Sequence, residues 1–274
     1  MHGTIPAAGG NSRHAACPDR LSAFIRHSDL LRERYLSHLP VPMVVIAGAC
    51  NAGKSTLINA LLGLEVSPVD VLPLTPCPIV FRHGETFSAT LQAEQRKWQA
   101  KSLPEALNLL RRNHHGLKQV EMHLSVPWLQ KCSLVDTPGI DTDRAGAGFP
   151  AGVISGADLI LYLFHQRGAD DGDRYFLHRL RKTFLPRDYG RISFWINGNL
   201  GRPDGSALEA TRTVLQEIFG REIALHHLDT RNGQSVDGLR RFLEVELAFL
   251  HLARMGEMFK KEDALIPRQL AKAA

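Results

Sequence analysis

The chain has 274 residues, 44% of them hydrophobic, with a formal net charge of +5. That length and apolar share suffice for one large α/β domain with its own core. The modest charge permits contact with anionic lipid or RNA without arguing for it, and no run approaches the ~18 apolar residues of a membrane span. Cys17, Cys50, Cys77 and Cys132 show no C-x-x-C spacing, so a reducing compartment is expected. The adjacent pairs His114-His115 and His226-His227 lack metal-ligand spacing and read as solvated loop positions.

Met1 to Pro18 is rich in small and polar residues without an apolar core; a disordered tail is expected, not a signal peptide. Asp19 to Ser37 reads as a helix that Asp19 can cap. Leu21, Phe24, Ile25, Leu31 and Tyr35 recur at helical spacing, and Pro40 and Pro42 end it. Val44 to Ala47 is a buried strand, and Leu57 to Leu62 begins a helix. Between them, Gly48 to Thr56 fits G-x-x-x-x-G-K-[ST], the phosphate-binding loop of nucleoside triphosphatases. Gly48 and Gly53 let the backbone bend, so that loop amides from Asn51 and Ala52 through Thr56 can nest around phosphate oxygens. Lys54 would reach the β- and γ-phosphates, and the Ser55 hydroxyl would ligate Mg²⁺.

Four prolines between Glu65 and Pro78 forbid helix and interior strand, so this stretch is an extended loop carrying Thr75. Ile79 to Arg82 and Phe87 to Gln92 read as strands, Pro104 to Arg112 as a helix, and Val120 to Val126 as a half-buried strand. Cys132 to Val135 is a short buried strand ending in Asp136-Thr137-Pro138-Gly139. An acidic residue there can hold Mg²⁺ through water, and the Gly139 amide can sense a γ-phosphate. Ile140 to Gly152, with three glycines, has a mobile-loop composition. Ala157 to Phe164 and Arg191 to Asn197 are central strands, and Asp171 to Thr183 and Gly205 to Phe219 are helices. Glu222 to Leu228 is the last strand. Asp229 to Gly233 turns, and Val236 to about Phe259 is a long helix, followed by a charged, frayed end. Strands alternating with helices predict a three-layer α/β fold, with a mostly parallel central sheet and helices on both faces. Every candidate motif falls at the carboxyl end of a strand, where such sheets bind ligands.

With the phosphate loop, the Thr75 segment and D-T-P-G in this order, the chain resembles translation-factor-class P-loop GTPases. More narrowly, it resembles bacterial dynamin-like GTPases. Asn51 to Gly63, Leu74 to Val80, and Val120 to Leu129 leading into Leu134 to Gly139 carry the resemblance, which spans about Val41 to Leu247. It implies a GTPase domain over residues 19–259, between tails at 1–18 and 260–274. It implies GTP and GDP as ligands with Mg²⁺, and Ser55, Thr75 and Asp136 around the metal. Thr75 would also orient the attacking water, with Lys54 and Gly139 acting on the γ-phosphate. Asn197, Thr230 and Arg231 would border the base.

The base motif departs from the family's N/T-K-x-D, since Gly198 and Leu200 replace its lysine and aspartate. Without that carboxylate, polar discrimination for guanine shrinks. Ile140 stands where some GTPases carry a glutamine, and Cys50 where dynamin relatives use a polar loop side chain, so slow hydrolysis is expected. With so few residues after the last helix, a GTPase domain without a long stalk is expected. The resulting expectation is a dynamin-like, slow Mg²⁺-dependent GTPase acting as a switch or assembly factor. It would self-associate or bind a protein partner, reside in the cytoplasm, and reach the inner face of a membrane peripherally through a partner. A degenerate GTPase fold used as an interaction module, and a base-promiscuous NTPase or ATPase, remain alternatives. An Era-like ribosome-assembly factor would carry an appended RNA-binding domain, and no nucleic-acid partner is expected.

Overall fold

The computed structural model describes residues 18–35, 40–67, 77–113, 116–139, 151–183, 191–198 and 205–273. The N-terminal tail through Cys17, Thr75, Ile140 and Leu200 therefore lie outside the described residues. The chain divides into two units, one of residues 42–239 and one combining residues 1–41 with 240–274.

In the larger unit the elements run β1 (Met43–Gly48), α2 (Lys54–Leu62), β2 (Ile79–His83), β3 (Ser88–Ala93), β4 (Lys97–Ala100) and α3 (Leu103–Asn113). They continue with β5 (Leu117–Leu124), a 3-10 turn (Pro127–Gln130), β6 (Ser133–Asp136), α4 (Ala151–Ser155), β7 (Leu159–Phe164), α5 (Asp171–Thr183), β8 (Ile192–Asn197), α6 (Gly205–Phe219) and β9 (Leu225–Leu228). Among the described residues the strands form one sheet, in the order β4-β3-β5-β2-β6-β1-β7-β8-β9. The half from β6 to β9 is wholly parallel, and β2 joins it antiparallel to β6. The outer strands add β3, antiparallel to both β5 and the edge strand β4. The sheet is thus mostly parallel on the side that carries the phosphate motif.

β7 is the clearest case of sequence dictating structure. All six of its residues are apolar and buried, the pattern of a strand covered on both faces. Val45, Ala47, Ile160, Tyr162, Phe164, Phe194 and Ile196 point to one face, where they pack with Phe176, Leu177 and Leu180 of α5 and Val214, Leu215 and Ile218 of α6. Val44, Ile46, Leu134 and Leu161, of opposite parity, are also buried. On the described side α2 packs against β1 and β6.

The α5 start is held by a reciprocal pair. The Asp173 amide donates to Asp170 Oδ1 (2.9 Å) and the Asp170 amide to Asp173 Oδ2 (3.0 Å), the logic of a capping box. The Tyr162 hydroxyl donates to Asp173 Oδ1 at 2.6 Å, tying α5 to β7. Burial pushes the Asp173 carboxyl up to about 7, against the Tyr162 hydrogen bond that opposes it. A carboxyl raised in the folded state contributes stability that is complete below its unfolded value and is lost as pH rises through its folded value. Wild type is therefore expected to lose about 2 kcal/mol more stability than Asp173→Asn between about pH 5 and about pH 7. Urea unfolding at both pH values checks this, and parallel pH profiles for the two proteins would contradict it.

The smaller unit pairs α1 (Pro18–Tyr35) with α7 (Gly233–Ala273) from Arg240 onward. The buried Ser28 hydroxyl donates to the Ala248 carbonyl at 3.2 Å, and the Phe24 and Phe249 rings lie 4.9 Å apart. The Arg254 guanidinium donates to the Pro40 carbonyl (2.7 Å). The sequence reading ends α7 near Phe259 and leaves 260–274 as a flexible tail; the helix instead continues to Ala273. Lys, Glu, Ala, Leu and Gln in its last turns favour a helix, whereas Pro267 among them opposes one. His226 corrects another expectation. It sits in β9 with its ring stacked on Trp195 at 4.7 Å, not in a solvated loop. No helix among the described residues is long and apolar enough to cross a membrane.

Candidate functional site

β1, β6, β8 and β9 run parallel, so Gly48, Asp136, Asn197 and Leu228 reach the same end of the sheet. The neighbours of β1 on its two sides are β6 and β7, and the chain reaches them in opposite directions. That reversal opens a crevice beyond the carboxyl end of β1, the place where open α/β sheets bind ligands.

The loop from Gly48 to Gly53 fills this crevice. Gly48 has φ 147° and faces the Leu163 carbonyl so closely that a Cβ would collide with it. Asn51 takes φ 61°, a left-handed conformation that asparagine tolerates better than most residues. Gly53, at φ 95°, is the residue before α2 and brings no capping side chain. The first amides of α2 are thus left to an anion, with the positive end of the helix dipole behind them.

Lys54 is 6% exposed, and its ammonium donates to the carbonyls of Gly48 (3.0 Å) and Ala49 (2.7 Å). Burial lowers its pKa, and the Asp136 carboxylate opposes that shift by favouring the cation. Asp136 is fully buried. Its Oδ2 accepts the Ser55 hydroxyl (2.8 Å) and the Ser67 hydroxyl (2.7 Å). Among the described residues its Oδ1 is buried without a hydrogen-bond partner. Burial raises the Asp136 pKa; Lys54, the two serines and the Thr137 amide pull it down. A buried carboxylate oxygen left unpaired is costly, and one beside a serine hydroxyl and a loop lysine suits a hydrated divalent cation. The residues present therefore fit Mg²⁺.

Beyond β6, the Thr137 hydroxyl donates to the Ile46 carbonyl (2.8 Å), which ties this exit to β1. Gly139 lies against Cys50. A Cβ on Gly139 would come 2.9 Å from Cys50 Cα and overlap its sulfur. On the other side of the loop, the Asn197 amide nitrogen donates to the Ala52 carbonyl (2.8 Å) and lies 3.3 Å from the Thr230 hydroxyl. The Thr230 amide returns a bond to Asn197 Oδ1 at 3.3 Å. Asn197 and Thr230 are both buried, whereas Arg231 is exposed in the turn after β9. Asn197 therefore joins the phosphate loop to the turn that carries Thr230.

The structure brings Gly48, Asn51, Ala52, Gly53, Lys54, Ser55, Thr56, Asp136, Gly139, Asn197 and Thr230 to one end of the sheet. Thr75 lies outside the described residues. Sequence reasoning misses Ser67 and the residue that holds it, Asn59. The available signal is a lone polar residue in the apolar run Leu57-Ile58-Asn59-Ala60-Leu61-Leu62.

A model of the dynamin family matches residues 44–183, from β1 to the end of α5. The chain belongs to the dynamin family. Isoniazid-induced protein IniC of Mycobacterium tuberculosis is 29% identical to this dynamin-family chain over 153 residues, covering 51% of it and 31% of the relative. The bacterial dynamin-like protein of Nostoc punctiforme is 25% identical over 219 residues, covering 73% and 31%. A solved bacterial dynamin, from an oligomerised pair described as sensing and tethering membranes over long range, superposes with a TM-score of 0.59. That match has 17% identity and covers 92% of this chain and 48% of the other. The dynamin-family chain thus has the fold of a P-loop GTPase domain, and it spans about a third of the length of these two curated relatives.

Proposed function

We propose that this dynamin-family domain binds GTP and GDP with Mg²⁺, hydrolyses GTP slowly, and acts as a nucleotide-dependent switch or assembly factor. The observation that carries this is the Asp136 carboxylate, with one oxygen held by two serine hydroxyls and the other unpaired, beside a buried loop lysine. Ser55 and Asp136 would hold the metal, joined by Thr75 as the family resemblance implies. Bound Mg²⁺ would supply charge neutralisation on the β- and γ-phosphate oxygens. The chain's own residues do the rest. The Gly48–Thr56 amides and the α2 N-terminus cradle the phosphates, Lys54 places a cation against them, and the Gly139 amide meets the γ-phosphate. Cys50 presents a thiol where a polar side chain would orient the attacking water, so turnover is slow.

The oligomerised, membrane-tethering neighbour supports self-association through this domain, or a protein partner, as the event the nucleotide controls. It also supports peripheral membrane contact through that partner. The proposed location is the cytoplasm or the inner face of a membrane. No nucleic-acid partner is proposed.

A second reading, a base-promiscuous NTPase, is favoured by Gly198, whose amide hydrogen-bonds the Leu228 carbonyl and which has no side chain to pack on a base. Titration with fluorescent GTP and ATP analogues in Mg²⁺ tests both readings. GTP-selective binding supports the first and equal binding the second. Absence of binding of either analogue on the order of tens of micromolar would sink both.

A further inference from the structure

Ser67 belongs to none of the motifs that mark the phosphate site. Its hydroxyl nonetheless lies 2.7 Å from Asp136 Oδ2, and the residue is 2% exposed. It sits in neither a helix nor a strand, so its position needs a separate cause. That cause is Asn59 of α2. Asn59 Oδ1 accepts the amides of Val66 (3.0 Å) and Ser67 (2.8 Å), while its Nδ2 donates to the Ser67 carbonyl (2.8 Å). One side chain thus fixes the peptide groups on both sides of Ser67. Asn59 lies one helical turn beyond Ser55. A single face of α2 therefore carries Ser55 itself and the residue that places Ser67.

The two hydroxyls converge on the same carboxylate oxygen. Rotating the Asp136 carboxylate about its Cβ–Cγ bond would break both hydrogen bonds, so Oδ1 is held in one direction. Oδ1 is the buried atom that has no partner among the described residues. Removing a group that orients a metal-binding carboxylate in this way typically costs about 10–100-fold in metal affinity.

We infer that Ser67, held by Asn59, is a positioning residue for Mg²⁺. It locks Asp136 so that Oδ1 stays available to the ion or its bound water. The inference rests on the reading of this crevice as a Mg²⁺–nucleotide site and goes beyond it by assigning a role to Ser67, which lies outside the motifs that carry the family resemblance, and to the Asn59 that holds it.

The test measures binding of a fluorescent GTP analogue to the full chain across a Mg²⁺ titration, with a parallel measurement in EDTA. Ser67→Ala is expected to raise the Mg²⁺ concentration for half-maximal binding about tenfold, leaving affinity in EDTA within about twofold of wild type. Asn59→Ala should reproduce the shift, and the double variant should add nothing to it, because both act through one carboxylate. A Ser67→Ala protein whose Mg²⁺ midpoint stays within about twofold of wild type overturns the inference. So does an equal loss of affinity in EDTA, which marks general damage to the pocket, and so does an additive double variant. Wild type binding the analogue without any dependence on Mg²⁺, or not binding it, removes the underlying site reading and this inference with it. A Mg²⁺-dependent wild type with an unshifted Ser67→Ala removes the inference alone.

Discussion

Lys54→Met is expected to weaken binding of a fluorescent GTP analogue at least ~100-fold, while the unliganded protein melts within about 4 °C of wild type. Methionine keeps most of the aliphatic stem but removes the ammonium, which is 6% exposed and donates to two carbonyls of its own loop. In the free protein the loss is offset. Burial already penalises the Lys54 charge, and the buried Asp136 carboxylate that loses its counter-charge can take up a proton, because burial raises its pKa. With nucleotide the offset disappears, because a triphosphate brings several negative charges to a loop that has lost its cation. About 3 kcal/mol of lost charge-assisted hydrogen bonding corresponds to the stated factor. Fluorescence titration and thermal melting of the same samples separate the two effects. Binding within about fivefold of wild type would mean that the analogue sits elsewhere.

Gly48→Ala is expected to destabilise the fold by about 3–5 kcal/mol, against about 1 kcal/mol for Gly63→Ala. Both glycines have positive φ, 147° and 66°. They differ in what a new Cβ would meet. At Gly63 nothing lies within 4 Å, whereas at Gly48 the Cβ would collide with the Leu163 carbonyl. Leu163 is a buried residue of β7 in register with Gly48, between neighbours fixed on both sides, so the clash cannot be relieved by a side-chain rotation. Urea unfolding of the two variants checks the contrast. Equal destabilisation would show that positive φ alone sets the requirement for glycine at position 48.

Much of this architecture is legible from local pattern because the core strands are long apolar runs. β7 and β8 declare themselves by composition, and the phosphate loop by glycine spacing. The misses have physical causes. β4 has four residues with Lys97 and Gln99 exposed, and it pairs only with β3, so neither an apolar run nor an extended alternation marks it. α4 has five residues, too few for a helical period to emerge. The end of α7 contains Pro267, a helix breaker, so the sequence argues for stopping the helix before it. In the site, residues that act through a contiguous motif can be read from the chain, as with Gly48 to Thr56. Ser67 cannot, because its role depends on meeting Asp136, 69 positions away, across a gap that only the fold closes.

The contact between Cys50 and Gly139 limits how this site can be altered. The loop and the exit of β6 approach so closely that one thiol fills the space between them, and a single added carbon on Gly139 would overlap it. The two positions share one volume. A hydroxyl in place of the Cys50 sulfur changes the chemistry at nearly constant size. A longer polar group would push the Gly139 backbone away from the loop, and with it the amide proposed to meet the γ-phosphate. On the proposed function, water-orienting chemistry and phosphate sensing share this volume: a hydroxyl at position 50 fits beside Gly139 as it stands, whereas a longer polar group requires residues 50 and 139 to change together.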